Sequence, residues 1–221
     1  MSQWEDGKRQ TLKFYYLKSK WKFRQFNKKF RLATYFDSMI GDKKEVKIAD
    51  LGAGVVSTTG NQHPSAKIIL YPSDILADKF NEFLRRKDKR WGKDLENGYK
   101  PLYPIEQQDM ENLTYENNFF DIVHAVNALD HCNNAYNAIK EMYRVCKPGG
   151  WIYLRHFPDN ARGQHYQGFH QWNITPTRDD CLFWSRERQF FLSECVPGFK
   201  TEVRRELDYE PDNMVISKAQ K

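Results

Sequence analysis

Two glycines, Gly52 and Gly54, close the apolar run "KIADLGAG", and a carboxylate, Asp74, closes the next one, "IILYPSD". Glycine has no Cβ and enters turns that other residues avoid, so such a pair after a strand lets the backbone approach a ligand closely. A strand-end carboxylate 22 residues past Gly52 is placed to accept both hydroxyls of a ribose. Together they point to an adenosine-type ligand. The dinucleotide pattern would place a third glycine where this chain has Ser57, which speaks against a pyrophosphate on a following helix. The four cysteines, Cys132, Cys146, Cys181 and Cys195, include no CxxC pair, and the histidines show no His-x-x-x-His spacing or paired carboxylate. The expectation is therefore reduced, mostly buried thiols and no metal.

The elements that position these residues are legible as apolar runs. Strands are expected over residues 46–51, 66–71, 120–126 and 150–156. Between the last two, Ala135, Ile139, Met142 and Tyr143 fall at helical spacing, and Lys147-Pro148-Gly149-Gly150 supplies a stop. Strand, helix, strand in this rhythm predicts an α/β fold, a Rossmann-like, doubly wound, mostly parallel sheet with helices on both faces. Residues 87–104, charged and carrying Gly92, Gly98, Pro101 and Pro104, read as a surface excursion.

The 221 residues, 40% hydrophobic, suffice for one well-cored domain. No apolar run approaches the roughly 20 residues that span a bilayer, and "MSQWEDGKRQ" lacks the apolar core of a signal peptide, so a cytoplasmic protein without a membrane span is expected. Charge is unevenly placed. Residues 1–47 hold 13 Lys/Arg against 5 Asp/Glu, while the remainder is slightly acidic. From Lys8 to Arg31 cations interleave with Phe14, Tyr15, Trp21, Phe23, Phe26 and Phe30, the pattern of an N-terminal helical cap with one apolar and one cationic face. Its lysines are either simply solvated or form a surface for an anionic substrate, a lipid headgroup or an RNA backbone.

Residues 107–156 resemble the class I S-adenosylmethionine-dependent methyltransferases, in particular their small-molecule group. "FDIVHAVNALDH" resembles that family's fourth strand and its loop, "RVCKPGGWIYL" its helix-to-fifth-strand turn, and "ADLGAG" its first motif. The resemblance implies S-adenosyl-L-methionine as cofactor. It implies Asp50 near the methionine amino group, Gly52, Ala53 and Gly54 beneath the cofactor, Asp74 at the ribose and Asp109, followed by Met110, at the adenine. Ile75 and Asn127 complete the implied cofactor-binding set. The family's usual third glycine is Val56 here, so the cradle is expected to be reshaped, with Val55 and Val56 against the methionine arm and Ser57, Thr58 and Thr59 adding hydroxyls. On this reading residues 1–45 form the basic cap, 46–156 the cofactor core, and 157–221 a substrate-side region and a final strand pair.

A sulfonium carries its own leaving group, so methyl transfer needs in-line approach of a nucleophile more than acid catalysis. A neutral hydroxyl acceptor gains from a base, which directs attention to histidine. His131 follows the fourth strand and His156 ends the fifth, both at the carboxyl edge where the methyl group would project, while His170 lies in the aromatic, amide-rich segment "RGQHYQGFHQWN". These three are the candidate catalytic residues. The expected function is methyl transfer to a small molecule, an oxygen of a sugar or an anionic glycan precursor, with "GFHQWN" stacking sugar faces and the basic arm receiving phosphate. An RNA methyltransferase using Lys8–Arg31 is an alternative, although "NALD" stands where amino-directed enzymes carry an Asn/Asp-Pro-Pro-aromatic tetrapeptide. A non-catalytic protein on the same fold is the third reading.

Overall fold

Strict two-residue alternation in the core strands dictates a sheet buried on both faces. Val46, Ile48, Ile122 and Tyr153 pack on one side with Leu32, Phe36, Met39 and Ile40, whereas Ala49, Leu51, Val123, Ala125, Ile152 and Leu154 pack on the other. Successive strand side chains point to opposite faces, so strands that are apolar throughout require cover on each. The computed structural model describes residues 5–15, 28–82, 103–196, 201–206 and 214–221. The expected surface excursion at 87–104 lies outside these up to residue 102, as does the basic, aromatic stretch from 16 to 27.

The strands in chain order are β1 (Glu45–Leu51), β2 (Lys67–Asp74), β3 (Glu106–Gln107), β4 (Phe120–Val126), β5 (Cys146–His156), β6 (Asn173–Pro176), β7 (Cys181–Trp184), β8 (Gln189–Phe191), β9 (Thr201–Glu206) and β10 (Met214–Gln220). Seven of them make one sheet in the order β3-β2-β1-β4-β5-β10-β9. The first five are parallel, and β10 joins β5 antiparallel with β9 outside it. The sheet is thus Rossmann-like, as the apolar rhythm predicts, and its order reverses between β1 and β4, which leaves a crevice at their carboxyl ends.

Two boundaries differ from the sequence reading. β2 runs to Asp74 instead of ending at Tyr71, because β1 continues its pairing to Pro72 and Ser73 and β3 pairs with Ser73 and Asp74. β5 begins at Cys146, so the Lys147-Pro148-Gly149-Gly150 stop ends the helix without interrupting the strand. It is absorbed as an irregularity in the pairing with β4, with Gly149 at φ +75°. Gly149 N–H donates to Lys221 O at 2.7 Å and Lys221 N–H to Gly150 O at 2.9 Å, so the end of the chain satisfies the bulge. The three-stranded antiparallel sheet β6-β7-β8 was not anticipated. Its strands are only three or four residues long, too short for alternation to stand out from the surrounding aromatic residues.

The helix Ala135–Val145 buries Ala135, Ala138, Ile139, Met142 and Val145 against the sheet, and the Asn134 side chain caps it by accepting from Asn137 N–H. Its last turn carries a clamp. Arg144 donates to both carboxylate oxygens of Glu141, to the carbonyls of Leu113 and Tyr115, and to Asn117 Oδ1, all at 2.7–2.8 Å. Glu141 in turn accepts from Leu113 N–H at 2.9 Å. This pair holds the segment between β3 and β4 onto the helix, and therefore fixes the approach to Asp109. Arg144→Ala leaves two carbonyls and a carboxylate short of donors. It is expected to lower stability by about 2 kcal/mol; a urea midpoint unchanged from wild type would contradict this account.

Candidate functional site

The glycine turn after β1 is built by backbone and carboxylate together. Gly52 and Gly54 both adopt positive φ, +72° and +70°. A Cβ on Gly52 would collide with Ala128 after β4, and one on Gly54 with the Tyr15 hydroxyl, so neither position accepts a side chain. Gly54 N–H donates to Asp74 Oδ2 at 3.0 Å and Leu76 N–H to Asp74 Oδ1 at 2.8 Å, which aims the carboxylate along the ends of β1 and β2. Burial pushes the Asp74 carboxyl up to about 6 despite these two donors.

A cleft lies in the crevice, walled by Gly52, Asp74, Ile75, Asp109, Met110, Asn127 and His131. Seven of the residues expected from the sequence therefore meet in one place. Asn127 is among the few non-glycine residues at positive φ, +48°, and its buried Oδ1 has no hydrogen-bond partner. An acceptor left unsatisfied beside the cleft is one a ligand donor can meet. Asp109 accepts from Glu111 N–H at 2.9 Å, a turn that presents Met110 to the cavity. Thr11, Tyr15 and Phe169 close the other side, so the helix at residues 5–15 covers the cleft. Free space inside is about 100 Å³, below the roughly 300–1,000 Å³ of ligand pockets.

Asp50, which the resemblance places near a methionine amino group through solvent or backbone, is not itself part of the cleft wall. Buried at the end of β1, it accepts from the Ser57 hydroxyl through one oxygen and shares a 3.1 Å hydrogen bond with His124 Nδ1 through the other. Ser57, in the place of the dinucleotide pattern's third glycine, thus ties the loop back to β1. Val55 and Val56 are buried with Leu76, Phe80 and Phe169 in an apolar cluster, with Tyr15 packed against it, and do not face the cavity. Within the described part of the cap, Lys8 and Arg9 are paired with Glu5 and Asp6.

The histidines divide. Gln171 N–H and Trp172 N–H both donate to Asp130 O, at 2.8 and 3.2 Å, and the Trp172 indole N–H donates to Cys132 O at 3.0 Å. These bonds dock "FHQW" on the turn after β4 and bring His170 beside His131, 39 residues away. Trp172 is consequently buried instead of stacking on a ligand, while Phe169 reaches the cleft. His170 Nδ1 lies 2.7 Å from Asp130 Oδ2 and 3.2 Å from His131 Nε2, and Asn160 Nδ2 donates to the same carboxylate oxygen at 2.8 Å. Burial alone would raise the Asp130 carboxyl, but the His131 and His170 rings outweigh it and hold it at about 2. Burial pulls the His131 imidazole below its ordinary value, against the attraction of Asp130, which keeps it neutral near pH 7. Sequence reasoning missed Asp130 and Asn160, and gave Ser57 to the cofactor side instead of to Asp50; for Asp130 its place beside His131 in "NALDH" was the one available signal.

His156 belongs elsewhere. It is 1% exposed, neither ring nitrogen has a hydrogen-bond partner, and it does not line the cleft. Burial pulls its pKa down to about 4. The unfolded chain, titrating near the usual ~6.5, takes up this proton first, so His156 costs stability as pH falls from about 6.5 to about 4, with a slope of about 1.4 kcal/mol per pH unit. Asp74, raised to about 6, works in the opposite direction over an overlapping window. His156→Leu should therefore become progressively more stable relative to wild type as pH falls from 7 to 5. Parallel urea midpoints across that range would disprove a buried neutral imidazole.

Residues 50–154 match a family model described as a methyltransferase domain. Among curated proteins, the chain is 26% identical over 165 residues to a cycloartenol-C-24-methyltransferase of Arabidopsis thaliana, covering 70% of this chain and 46% of that one. It is 36% identical over 96 residues to a ubiquinone/menaquinone biosynthesis C-methyltransferase of Neisseria meningitidis, covering 43% and 39%. The chain thus spans less than half the length of these relatives. Among solved structures, an S-adenosylmethionine-dependent methyltransferase from Mesorhizobium loti superposes with a TM-score of 0.52 at 12% identity, covering 85% of this chain and 96% of that one. A second, from Methanosarcina mazei, gives 0.50 at 16% identity over 87% and 99%. These two likenesses establish a class I methyltransferase fold, and within it the stretch from the end of β1 to β5 carries the matched methyltransferase domain.

Proposed function

We propose that this protein transfers a methyl group from S-adenosylmethionine to a hydroxyl oxygen of a small acceptor, activated at the Asp130–His131–His170 cluster. The observation that carries the reading is that one cleft has two chemically distinct ends. Gly52, Asp74, Asp109 and Asn127 suit the backbone approach, ribose, adenine and a ligand donor; His131, hydrogen-bonded into the cluster, forms the other wall. The cofactor supplies a methyl group on a sulfonium. Asp74 accepts from the ribose hydroxyls, and the turn of Gly52 and Gly54 lets the chain pass close beneath it. His131, neutral and partly desolvated, faces the acceptor, and the buried charge of Asp130 stabilises positive charge arising at that ring or beside it. Phe169 and the helix at residues 5–15 exclude water from the same space.

A sugar or anionic glycan precursor remains our reading of the acceptor, supported by the polar cluster at the cleft wall. Transfer to carbon is a second reading, favoured by the names of the two curated relatives, both C-methyltransferases. An acidic hydroxyl on an aromatic or enolic ring would use the same cluster, since ionising it makes the neighbouring carbon nucleophilic. Mass analysis of product from isotopically labelled cofactor separates O-methyl from C-methyl.

Two outcomes are expected. Because ribose hydroxyls donate to a carboxylate that titrates near 6, S-adenosylhomocysteine should bind more weakly as pH falls through about 6, and Asp74→Asn should both weaken binding and remove that pH dependence. Calorimetry between pH 5 and 7.5 decides this, and an unaltered wild-type profile in the variant would take Asp74 out of the site. Separately, His131→Ala should lower transfer by on the order of 10²–10⁴ while cofactor affinity stays within a few fold. A loss below about tenfold with a defined acceptor would mean that alignment alone carries the reaction.

A further inference from the structure

Asp130 Oδ2, His131 Nε2 and His170 Nδ1 form a triangle with edges of 2.7, 3.2 and 3.5 Å. Three side-chain nitrogens converge on one carboxylate oxygen: His170 Nδ1 and the Asn160 amide at 2.7 and 2.8 Å, and His131 Nε2 at 3.5 Å. The two ring nitrogens are 3.2 Å apart, so two imidazoles and a carboxylate turn their ligand atoms toward one point. Asp130 is itself 1% exposed, its Oδ1 has no hydrogen-bond partner, and among the described residues its ion pairs are to these two histidines, not to Lys or Arg. A carboxylate buried so thoroughly calls for a compensating cation.

We propose that the cluster binds a divalent first-row transition ion through Asp130 Oδ2, His131 Nε2 and His170 Nδ1. An ion about 2.1 Å from all three atoms, the usual length of such bonds, would lie only about 1 Å off their plane. Two imidazoles and one carboxylate on one face of a metal leave further positions open to solvent or substrate. The Asn160 amide, turned to present its oxygen, supplies a fourth ligand. His131 lines the cleft, so the ion sits at its wall. Sequence spacing argued against a metal because the two histidines come from segments that are brought together by tertiary contacts to the Asp130 and Cys132 carbonyls.

The role of the ion in transfer rests on the function proposed above; its binding does not. With the ion bound, His131 Nε2 would be a ligand and no longer a base, and the ion would take over activation: an acceptor hydroxyl coordinated there would ionise more readily, its proton passing to solvent. The freed oxygen lone pair forms the new bond to the methyl carbon, and the electrons of the broken S–CH₃ bond stay on sulfur, leaving neutral S-adenosylhomocysteine. The substrate class is thereby narrowed to acceptors whose hydroxyl can serve as a metal ligand.

The test uses tag-free protein stripped with a chelator, titrated with ZnCl₂ by calorimetry and with CoCl₂ by visible absorption. One equivalent of zinc at micromolar affinity or tighter is expected, with cobalt bands of a nitrogen- and oxygen-ligated site. His131→Ala and His170→Ala should each weaken zinc binding by on the order of 100-fold or more, whereas His165→Asn, at an exposed position, should not. S-adenosylhomocysteine is titrated into the same samples. Absence of stoichiometric zinc binding by the wild type, or binding that survives both substitutions, overturns the ion site. If S-adenosylhomocysteine still binds, the cofactor reading stands without it; zinc bound with no S-adenosylhomocysteine affinity upholds the ion site and removes the cofactor reading.

Discussion

β1 is bonded on both sides to parallel strands, β2 and β4, whose connections leave it in opposite directions. This reversal is the constraint on which the site depends. Chains emerging from β1 and β4 leave toward opposite halves of the sheet, so Gly52 and Asn127, in closely packed turns, line one crevice at the carboxyl ends. β2 and β3, stacked outward from β1, deliver Asp74 and, just beyond β3, Asp109 to the same edge. The apolar residues that cover both faces of the sheet hold these strand ends in register, because a slip of one residue would exchange the side chains packed in the two differently shaped layers.

Around the crevice, buried polar groups fasten the loops. Asp50 reaches Ser57 and His124, fixing the turn after β1 to β4. Asp74 gathers two backbone N–H groups from the turns after β1 and β2. Asp130 does the equivalent for the substrate side: its carbonyl receives Gln171 and Trp172, and its carboxylate meets Asn160 and His170. Each carboxylate joins segments distant in sequence, and each is expensive to bury unless satisfied. In Asp50 and Asp74 each carboxylate oxygen has a partner. In Asp130 both partners meet Oδ2 and the buried Oδ1 has none, which is why chemistry is assigned to it.

Residues 46–156 disclosed much of this without a structure. Apolar runs and the glycine turn identified four of the parallel strands and the crossover helix, because burial on both faces leaves a continuous hydrophobic signal. Strand ends carry their own meaning, so Gly52, Asp74, Asp109, Met110, Asn127 and His131, which line one cleft, were singled out by position and by resemblance alone. Val55 and Val56 were misread as cavity residues since nothing local distinguishes a side chain turned toward a ligand from one turned under the helix at residues 5–15. The same limit hid β6 to β8, whose pairing is long-range and whose strands are short.

What the sequence determined by itself was the sheet and the cofactor edge, both properties of local pattern: periodicity, turn chemistry and the residue at each strand's end. Only the tertiary structure decided which histidines share a site. His156, at a strand end, is enclosed with no hydrogen-bond partner, and His170, in an irregular segment, meets His131 and Asp130. The reason is that docking of "FHQW" on the turn after β4 rests on backbone N–H groups donating to a carbonyl, and every non-proline residue carries the same groups. Such a contact leaves no mark in side-chain type or spacing, and it helps convert three separate residues into one site.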